Sequence, residues 1–544
     1  MARVQLVKRP QRWDEPFGHA CVPATLVDSI LARSVFRDVD EKDFPDDLAL
    51  RDIIANDARI LKLARDEVVY SQGDFGSSFY LVLNGSVRRS SVPASRRVTK
   101  RGQTEERRSR FRALMATLRR GSNPDNSHAV AANGVEREFP KAQFRRNEIF
   151  GVVEALTRSA RTATVTANAH ETILLEIRWP GVRELLHWSD KFRDRIERLY
   201  RQRSLEIGLS ESPLLAQLGN QTLRTIAGNC VFETHGSFDW THRYQREVAA
   251  ESGGAAIGAH EPIILEQDHY LDDLLLVRSG FARVTEKLDR GEKTLGYLSA
   301  GDAFGLTEIV ESSYGARLQR SQRCLRAIGY ADVIRVPVHL VKKFVVPTLP
   351  LGTLPDAMLV TQQPVGDQSL LDFSVDNRFV NGTMAMAIDT TRCVNCDDCV
   401  RACASTHNNI PRFIRHGPIH NNLMVAHACM HCADPVCLSD CPTGAIHRDA
   451  TTGTVVIDEK NCIGCASCAS ACPYDNIRME EVRNPDGAFQ IDEDGTHILR
   501  ATKCDLCSGQ GSGPACQRAC PHDALIRVDV GDLKTLSDWL DYAP

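Results

Sequence analysis

The sequence predicts a multidomain chain of two fold classes: two mainly-β domains with flanking helices, followed by one α+β domain organised around cysteine. Three observations carry this. Sixteen of the 19 cysteines fall after residue 390, in four groups of four. A stretch of the first β domain repeats itself, without a gap, 195 residues later. The composition is that of a folded chain, with 42% hydrophobic and 25% charged residues in 544, a length that holds three or four domains. The net charge of −4 gives no overall sign for nucleic acid, and none is expected as a partner. No apolar run reaches the length of a transmembrane segment.

Residues 1–45 read as a leader. Its opening, MARVQLVKRPQRWDEPF, has no apolar core of an export signal, so a cytoplasmic location is expected. The first β domain spans 46–204 and closes on a charged helix, KFRDRIERLYRQR; the second spans 205–346. The repeat defines both. VVYSQGDFGSSFYLVLNG at 68–85 aligns with IILEQDHYLDDLLLVRSG at 263–280, each an apolar strand, a polar turn and a second apolar strand. Further on, Phe150-Gly-Val-Val-Glu154 matches Phe304-Gly-Leu-Thr-Glu308.

These segments resemble the cyclic nucleotide-binding domain, a β-roll with flanking helices. In that family a short helix after Phe-Gly and an Arg-[Ser/Thr]-Ala run cradle the cyclic phosphate, and a glutamate takes the ribose hydroxyl. The resemblance implies a cyclic nucleotide as ligand of the first copy. Arg161 and Thr162 would meet the phosphate and Gly151 the sugar end. The glutamate normally follows the glycine directly; Val152 stands there, and Glu154 lies two residues on. The second copy departs further, with no Arg-[Ser/Thr]-Ala run and with Asp268 in place of the turn glycine Gly73. The alternative reading of both copies is a degenerate roll used for docking or dimerising.

Gly85 to Phe150 spans 65 residues and Gly280 to Phe304 spans 24, so the first copy carries 41 extra residues, about 90–140. The insertion is basic: 12 Lys or Arg between Arg88 and Arg120 against Glu105 and Glu106. It reads as a solvated loop or as a partner contact through an amphipathic helix over RRSRFRALMATLRRG. AAESGGAAIGAH at 249–260 reads as a second loop, and 347–385 as a linker rich in proline and polar residues.

The cysteine domain occupies 386–544. Cys393, Cys396, Cys399 and Cys403 make C-x2-C-x2-C-x3-C. Cys429, Cys432, Cys437 and Cys441 make C-x2-C-x4-C-x3-C-P. Cys462, Cys465, Cys468 and Cys472 repeat the first spacing and add the proline, and Cys504, Cys507, Cys516 and Cys520 make C-x2-C-x8-C-x3-C-P. One short loop with two-residue gaps wraps three corners of a cubane, and the fourth cysteine, on a departing helix, points at a neighbouring cluster. The pattern therefore predicts four [4Fe–4S] clusters. Structural zinc usually separates two C-x2-C halves by a longer stretch and fits the three-plus-one spacing poorly. A disulfide framework does not suit a chain without an export signal. Cys21, Cys230 and Cys324 are isolated and read as core or surface thiols. The histidines between His407 and His447 read as neighbours of the ligands or as surface residues. Lys503, Arg401 and Arg518 adjoin ligands, and each is read as a solvated surface charge in preference to a tuning charge.

Residues 386–530 resemble the four-cluster ferredoxin subunit of the dimethyl sulfoxide reductase family, a double bacterial-ferredoxin-like fold. The strings that carry this are Cys429-Met-His-Cys-Ala-Asp-Pro-Val-Cys437 with Cys441-Pro-Thr-Gly-Ala-Ile446, Cys462-Ile-Gly-Cys-Ala-Ser-Cys-Ala-Ser-Ala-Cys-Pro-Tyr474, and Lys503-Cys-Asp-Leu-Cys507. The resemblance implies how the groups combine. One cluster takes Cys393, Cys396, Cys399 and Cys520, and a second takes Cys504, Cys507, Cys516 and Cys403. A third takes Cys429, Cys432, Cys437 and Cys472, and the last takes Cys462, Cys465, Cys468 and Cys441. It further implies an electron-transfer subunit of a cytoplasmic oxidoreductase complex, partnered by a molybdopterin enzyme, a hydrogenase or a flavoprotein. No catalytic residues or substrate site are read in the chain, and no flavin or dinucleotide fingerprint is present. The alternative is a regulatory protein in which a cyclic nucleotide or redox signal gates electron flow.

Overall fold

The structure is a computed structural model and describes residues 4–14, 21–90, 143–212, 214–215, 218–236, 261–288, 291–314, 320–349, 368–450, 452–484, 486–508, 510–530 and 532–541. The basic insertion and the 249–260 tract lie outside the described residues.

The first β-roll is two four-stranded antiparallel sheets. One orders its strands Ala58–Ala64, Glu171–Ile177, Phe79–Asn84 and Ile149–Phe150; the other orders Val68–Tyr70, Thr164–Ala167, Ser86–Ser90 and Gln143–Arg145. The second roll keeps that path with two pairs of strands run together. Its strand Asp273–Leu288 stands for two strands of the first roll, and Cys324–Pro337 for two more. The alignment survives at the level of backbone angles. Gly73 and its counterpart Asp268 are both left-handed, at φ 90° and 66°, a conformation that aspartate tolerates at a turn. Gly85 and Gly280 are left-handed too, at 75° and 77°. A Cβ on either would lie 2.6 Å from Glu171 O or 2.2 Å from Tyr330 O, so the neighbouring strand leaves room only for glycine.

The segment expected as a leader builds part of the first roll. Helix Ala24–Leu31 turns Val27 and Ile30 into a core that also holds Val22, Val35, Phe36 and Phe44. The charged helix runs longer than KFRDRIERLYRQR, from Asp190 to Glu211. Ser189 Oγ accepts the Phe192 N–H at 3.3 Å and caps its start. Phe192, Ile196, Tyr200 and Ile207 form its buried stripe in the first core, and Leu209 continues into the second. One helix thus closes the first roll and opens the second.

The cysteine domain is α+β. A four-stranded sheet orders Ile419–His420, Leu423–Val425, Ala385–Asp389 and Leu525–Val528. Two hairpin-like pairs, Ile446–Arg448 with Val455–Ile457 and Arg478–Glu481 with Leu499–Thr502, complete it. Short helices Asp398–Thr406, Ser467–Ser470 and Ala515–Arg518 each carry a third-position cysteine. The last part of the expected linker is helix Gln368–Asp376, whose Leu370, Leu371 and Val375 pack into the domain core beside Phe281 and Ile328 of the second roll. Strand Val4–Leu6 pairs in parallel with Phe489–Ile491, tying the start of the described chain to this domain. Among the described residues no helix is long and apolar enough to cross a membrane.

Candidate metal centres

All 19 cysteines are described and none is in a disulfide. The backbone around each group curls in the same way. The residue just before the second cysteine is left-handed in all four: Asn395 at φ 59°, His431 at 48°, Gly464 at 73° and Leu506 at 57°. Asp397 and Ala466, one residue past the second cysteine, repeat it at 61° and 63°. Non-glycine residues in this region cost on the order of 1 kcal/mol each and persist where the surroundings demand them. Here they curl the chain around each group; the Leu506 N–H donates to Cys504 Sγ at 3.5 Å, and N–H groups from further along the chain reach other sulfurs. Cys403 Sγ accepts the Arg412 N–H at 3.2 Å, Cys472 that of Asn476 at 3.4 Å, and Cys507 that of Ala515 at 3.5 Å.

The cysteines assemble across groups. Cys393, Cys396 and Cys399 line one cavity together with Cys520, from the far end of the domain. Cys462, Cys465 and Cys468 line another with Cys441. Burial pushes the Cys468 thiol up to about 12, and the nearby Cys441, Cys462 and Cys465 add to it. Burial likewise pushes Cys516 up to about 11, with Cys504, Cys403 and Cys507 adding to it against Arg527. Cys437 is pushed well up by burial and then by Cys472, Cys429 and Cys432. The buried thiols Cys437, Cys468 and Cys516 thus resist ionisation beside their neighbours and would ionise readily only around a positive core. Cys429 and Cys504 pack in one core, and Arg527 donates to Cys429 O and to Cys504 Sγ, so these two cysteines lie side by side.

The donor chemistry fits a cubane better than a single ion. Tetrahedral zinc at a Zn–S distance of about 2.3 Å draws its sulfurs to about 3.8 Å from one another. Among the described residues no three cysteine sulfurs lie mutually within 4.8 Å; the sole cluster of that tightness is His407, Asp505 and Cys507. Four cysteines lining one cavity, three from a short loop and one from a distant group, suit a polynuclear core whose irons each take one thiolate.

Three charges beside these quartets differ from their sequence reading or lay beyond it. Lys503, read as a solvated surface charge, is 3% exposed, with its Nζ donating to Cys504 O at 3.0 Å and to Val455 O. The neighbouring carbonyls, which no local pattern reveals, hold it inside. Arg401 and Arg518 are exposed as expected. Arg527 donates to Cys504 Sγ at 2.9 Å, and Arg448 to Cys432 O at 2.7 Å and Ala433 O at 2.8 Å. Of the histidines, His431 is buried and its Nδ1 accepts the Val455 N–H at 3.0 Å.

The residues expected to hold a cyclic nucleotide meet in the first roll but face one another. Gly151, at φ 77°, starts the short helix Val152–Thr157. Arg161 is 2% exposed; it donates to Gly151 O at 3.0 Å and Ser78 O at 2.9 Å, lies 3.7 Å from Glu154 Oε2 and stacks 4.4 Å above the Tyr70 ring. Thr162 Oγ1 donates to Glu154 Oε1 at 2.6 Å and accepts from Arg89. The loops that frame this network rest on the cysteine domain. Arg158 Nε donates to Asp434 Oδ1 at 2.7 Å and its Nη1 to Ser439 Oγ at 2.8 Å. The Phe75 N–H donates to Ala450 O at 3.2 Å, and Arg178 and Trp179 reach Thr443 O and Ser439 O at 2.7 and 2.9 Å.

Residues 420–530 match the family model described as a 4Fe-4S dicluster domain. The chain is 35% identical over 176 residues to electron transport protein HydN of Escherichia coli strain K12, an alignment that covers 30% of this chain and 93% of that protein. It is 35% identical over 168 residues to a subunit of anaerobic dimethyl sulfoxide reductase from Haemophilus influenzae, covering 27% of this chain and 74% of that subunit. Over the rolls, the regulatory domain of Toxoplasma gondii PKA with cAMP aligns with 58% of this chain and 90% of its own at 15% identity and a TM-score of 0.20; the roll fold described above rests on strand order and not on that likeness.

Proposed function

As a member, through its cysteine domain, of the family of iron–sulfur electron-transfer proteins that includes HydN and the matching subunit of anaerobic dimethyl sulfoxide reductase, this chain, we propose, relays electrons through four [4Fe–4S] clusters between partner redox enzymes. The observation that carries the reading is the pair of cavities in which three cysteines of one group meet a fourth from another, Cys520 with Cys393, Cys396 and Cys399, and Cys441 with Cys462, Cys465 and Cys468. When bound, such clusters take up and release single electrons. The chain's own residues fix their order. Cys399 and Cys403 share one helix and serve the first and second quartets; Cys504 lies beside Cys429 of the third; and Cys441 and Cys472 exchange the third and fourth.

Exposure sets the direction of access. Cys396 and Cys465, in the two terminal quartets, are exposed, whereas the cysteines of the middle quartets are buried or half-buried. Electrons enter and leave at those ends, from a molybdopterin enzyme, a hydrogenase or a flavoprotein in a cytoplasmic complex. The rolls serve as a docking frame. The Arg161 charge is already matched by Glu154 and two carbonyls, which disfavours the gated, nucleotide-binding reading.

Protein purified without oxygen is expected to hold about sixteen irons and sixteen sulfides. Zinc in their place, or iron without sulfide, overturns the relay. Calorimetric titration with cyclic AMP and cyclic GMP is expected to be silent; heat that disappears in Arg161→Ala would establish a cyclic-nucleotide site in the first roll instead.

A further inference from the structure

The four quartets do not sit in equal electrostatic surroundings. Arg527, on strand Leu525–Val528, reaches between two of them. Its Nη2 donates to Cys504 Sγ at 2.9 Å, while Nη1 donates to Met384 O at 3.2 Å and Cys429 O at 3.5 Å. Lys503 backs it from inside the domain, its Nζ spent on carbonyls alone. Among the described residues neither cation lies within ion-pair distance of a carboxylate. The terminal quartets lack this. Arg415, the cation at the first, is paired to Asp397 at 2.7 Å. The fourth cavity is walled by Thr443, Ala445, Ile446, Ile457 and Ala501, with no charged side chain.

We propose that Arg527, supported by Lys503, sets the potential of the second cluster above those of the terminal clusters, so that the centre of the chain of clusters takes the first electron. This rests on the four-cluster reading. Reduction adds a negative charge to a centre already negative through its thiolates. A half-buried, unneutralised guanidinium donating directly to one of its sulfurs stabilises the reduced form most and raises the potential.

The test is an anaerobic redox titration of the full chain followed by electron paramagnetic resonance, on wild type, Arg527→Gln and Arg527→Lys. In Arg527→Gln one midpoint falls by at least the about 59 mV that equals a tenfold change in a one-electron couple; the terminal midpoints hold. Arg527→Lys, which keeps charge and loses the fork, moves the same midpoint less. Four unmoved midpoints at full iron and sulfide content overturn the assignment. A variant that fails to assemble is bypassed with native protein carrying guanidino-¹⁵N arginine: the first centre reduced by substoichiometric dithionite must show an arginine nitrogen coupling, and its absence overturns the assignment equally. Native protein without iron and sulfide would instead remove the underlying four-cluster reading.

Discussion

Arg158 and Asp434 illustrate how a contact between domains is made from two residues that nothing in the sequence links. Both side chains are nearly buried, and the guanidinium meets the carboxylate at 2.7 Å. Removing one member strands the other's charge, which costs about 3–5 kcal/mol. Arg158→Ala and Asp434→Asn are each expected to destabilise the full chain by that order in denaturant unfolding, and the double variant by clearly less than their sum. Glu154 gives a pH signature. Burial alone would raise its carboxyl, but Arg161, Arg89 and the Thr162 hydroxyl together hold it below the usual range. A depressed carboxyl contributes stability above its unfolded value, about pH 4.3, and loses it as pH falls through the folded value. Glu154→Gln is therefore expected to flatten the acid limb of the first roll's stability curve. At this scale the sequence was legible where spacing encodes chemistry, as in the cysteine strings within 420–530 that match a 4Fe-4S dicluster domain, and silent where side chains meet through folding. Lys503 follows that rule: its adjacency to Cys504 was visible, while the carbonyls that bury it include one from elsewhere in the chain.

Among the elements, the repeat was readable because the positions that limit the backbone recur. Gly85 and Gly280 meet the same obstacle, a carbonyl on the facing strand, and the aligned turn keeps its left-handed residue when glycine gives way to Asp268. Gly280→Ala is expected to destabilise the second roll by about 1–3 kcal/mol, since its Cβ meets Tyr330 O at 2.2 Å and its φ is positive. Gly73→Ala, with nothing within 4 Å, bears the backbone term alone, about 1 kcal/mol. Thermal unfolding of the two variants checks the order. What the repeat did not reveal is that the helical layer begins before residue 46. Apolar residues such as Val27, Ile30 and Phe36 were present but too sparsely spaced to announce a helix without the sheet they cover.

For the whole molecule, the cysteine domain owes much of its interior to sulfur. One of its cores interleaves Cys399, Cys403, Cys429, Cys504 and Cys516 with Met386, Ile388, Phe413, Met424 and Leu525, so the thiols make up a large share of what holds it together. Folding of such a domain is coupled to its metal. Anaerobic iron chelation is expected to abolish the domain's own calorimetric transition. It also lowers that of the second roll, because Phe281 and Ile328 lose the core they share with Val380 and Leu371. An unchanged thermogram after chelation would refute this. Domain order was legible from cysteine, repeat and linker composition; how the domains face one another was not, since that depends on contacts such as Arg283 with Asp376 and Phe75 with Ala450.

The parallel pairing of Val4–Leu6 with Phe489–Ile491 has a consequence for biosynthesis. A ribosome emits the first strand 485 residues ahead of its partner, an interval of about 25–100 s at ordinary elongation rates. Through that interval an apolar edge with Val4 56% and Leu6 64% exposed even when finished has no mate, so this seam closes after the rolls and is where a nascent chain is open to a chaperone.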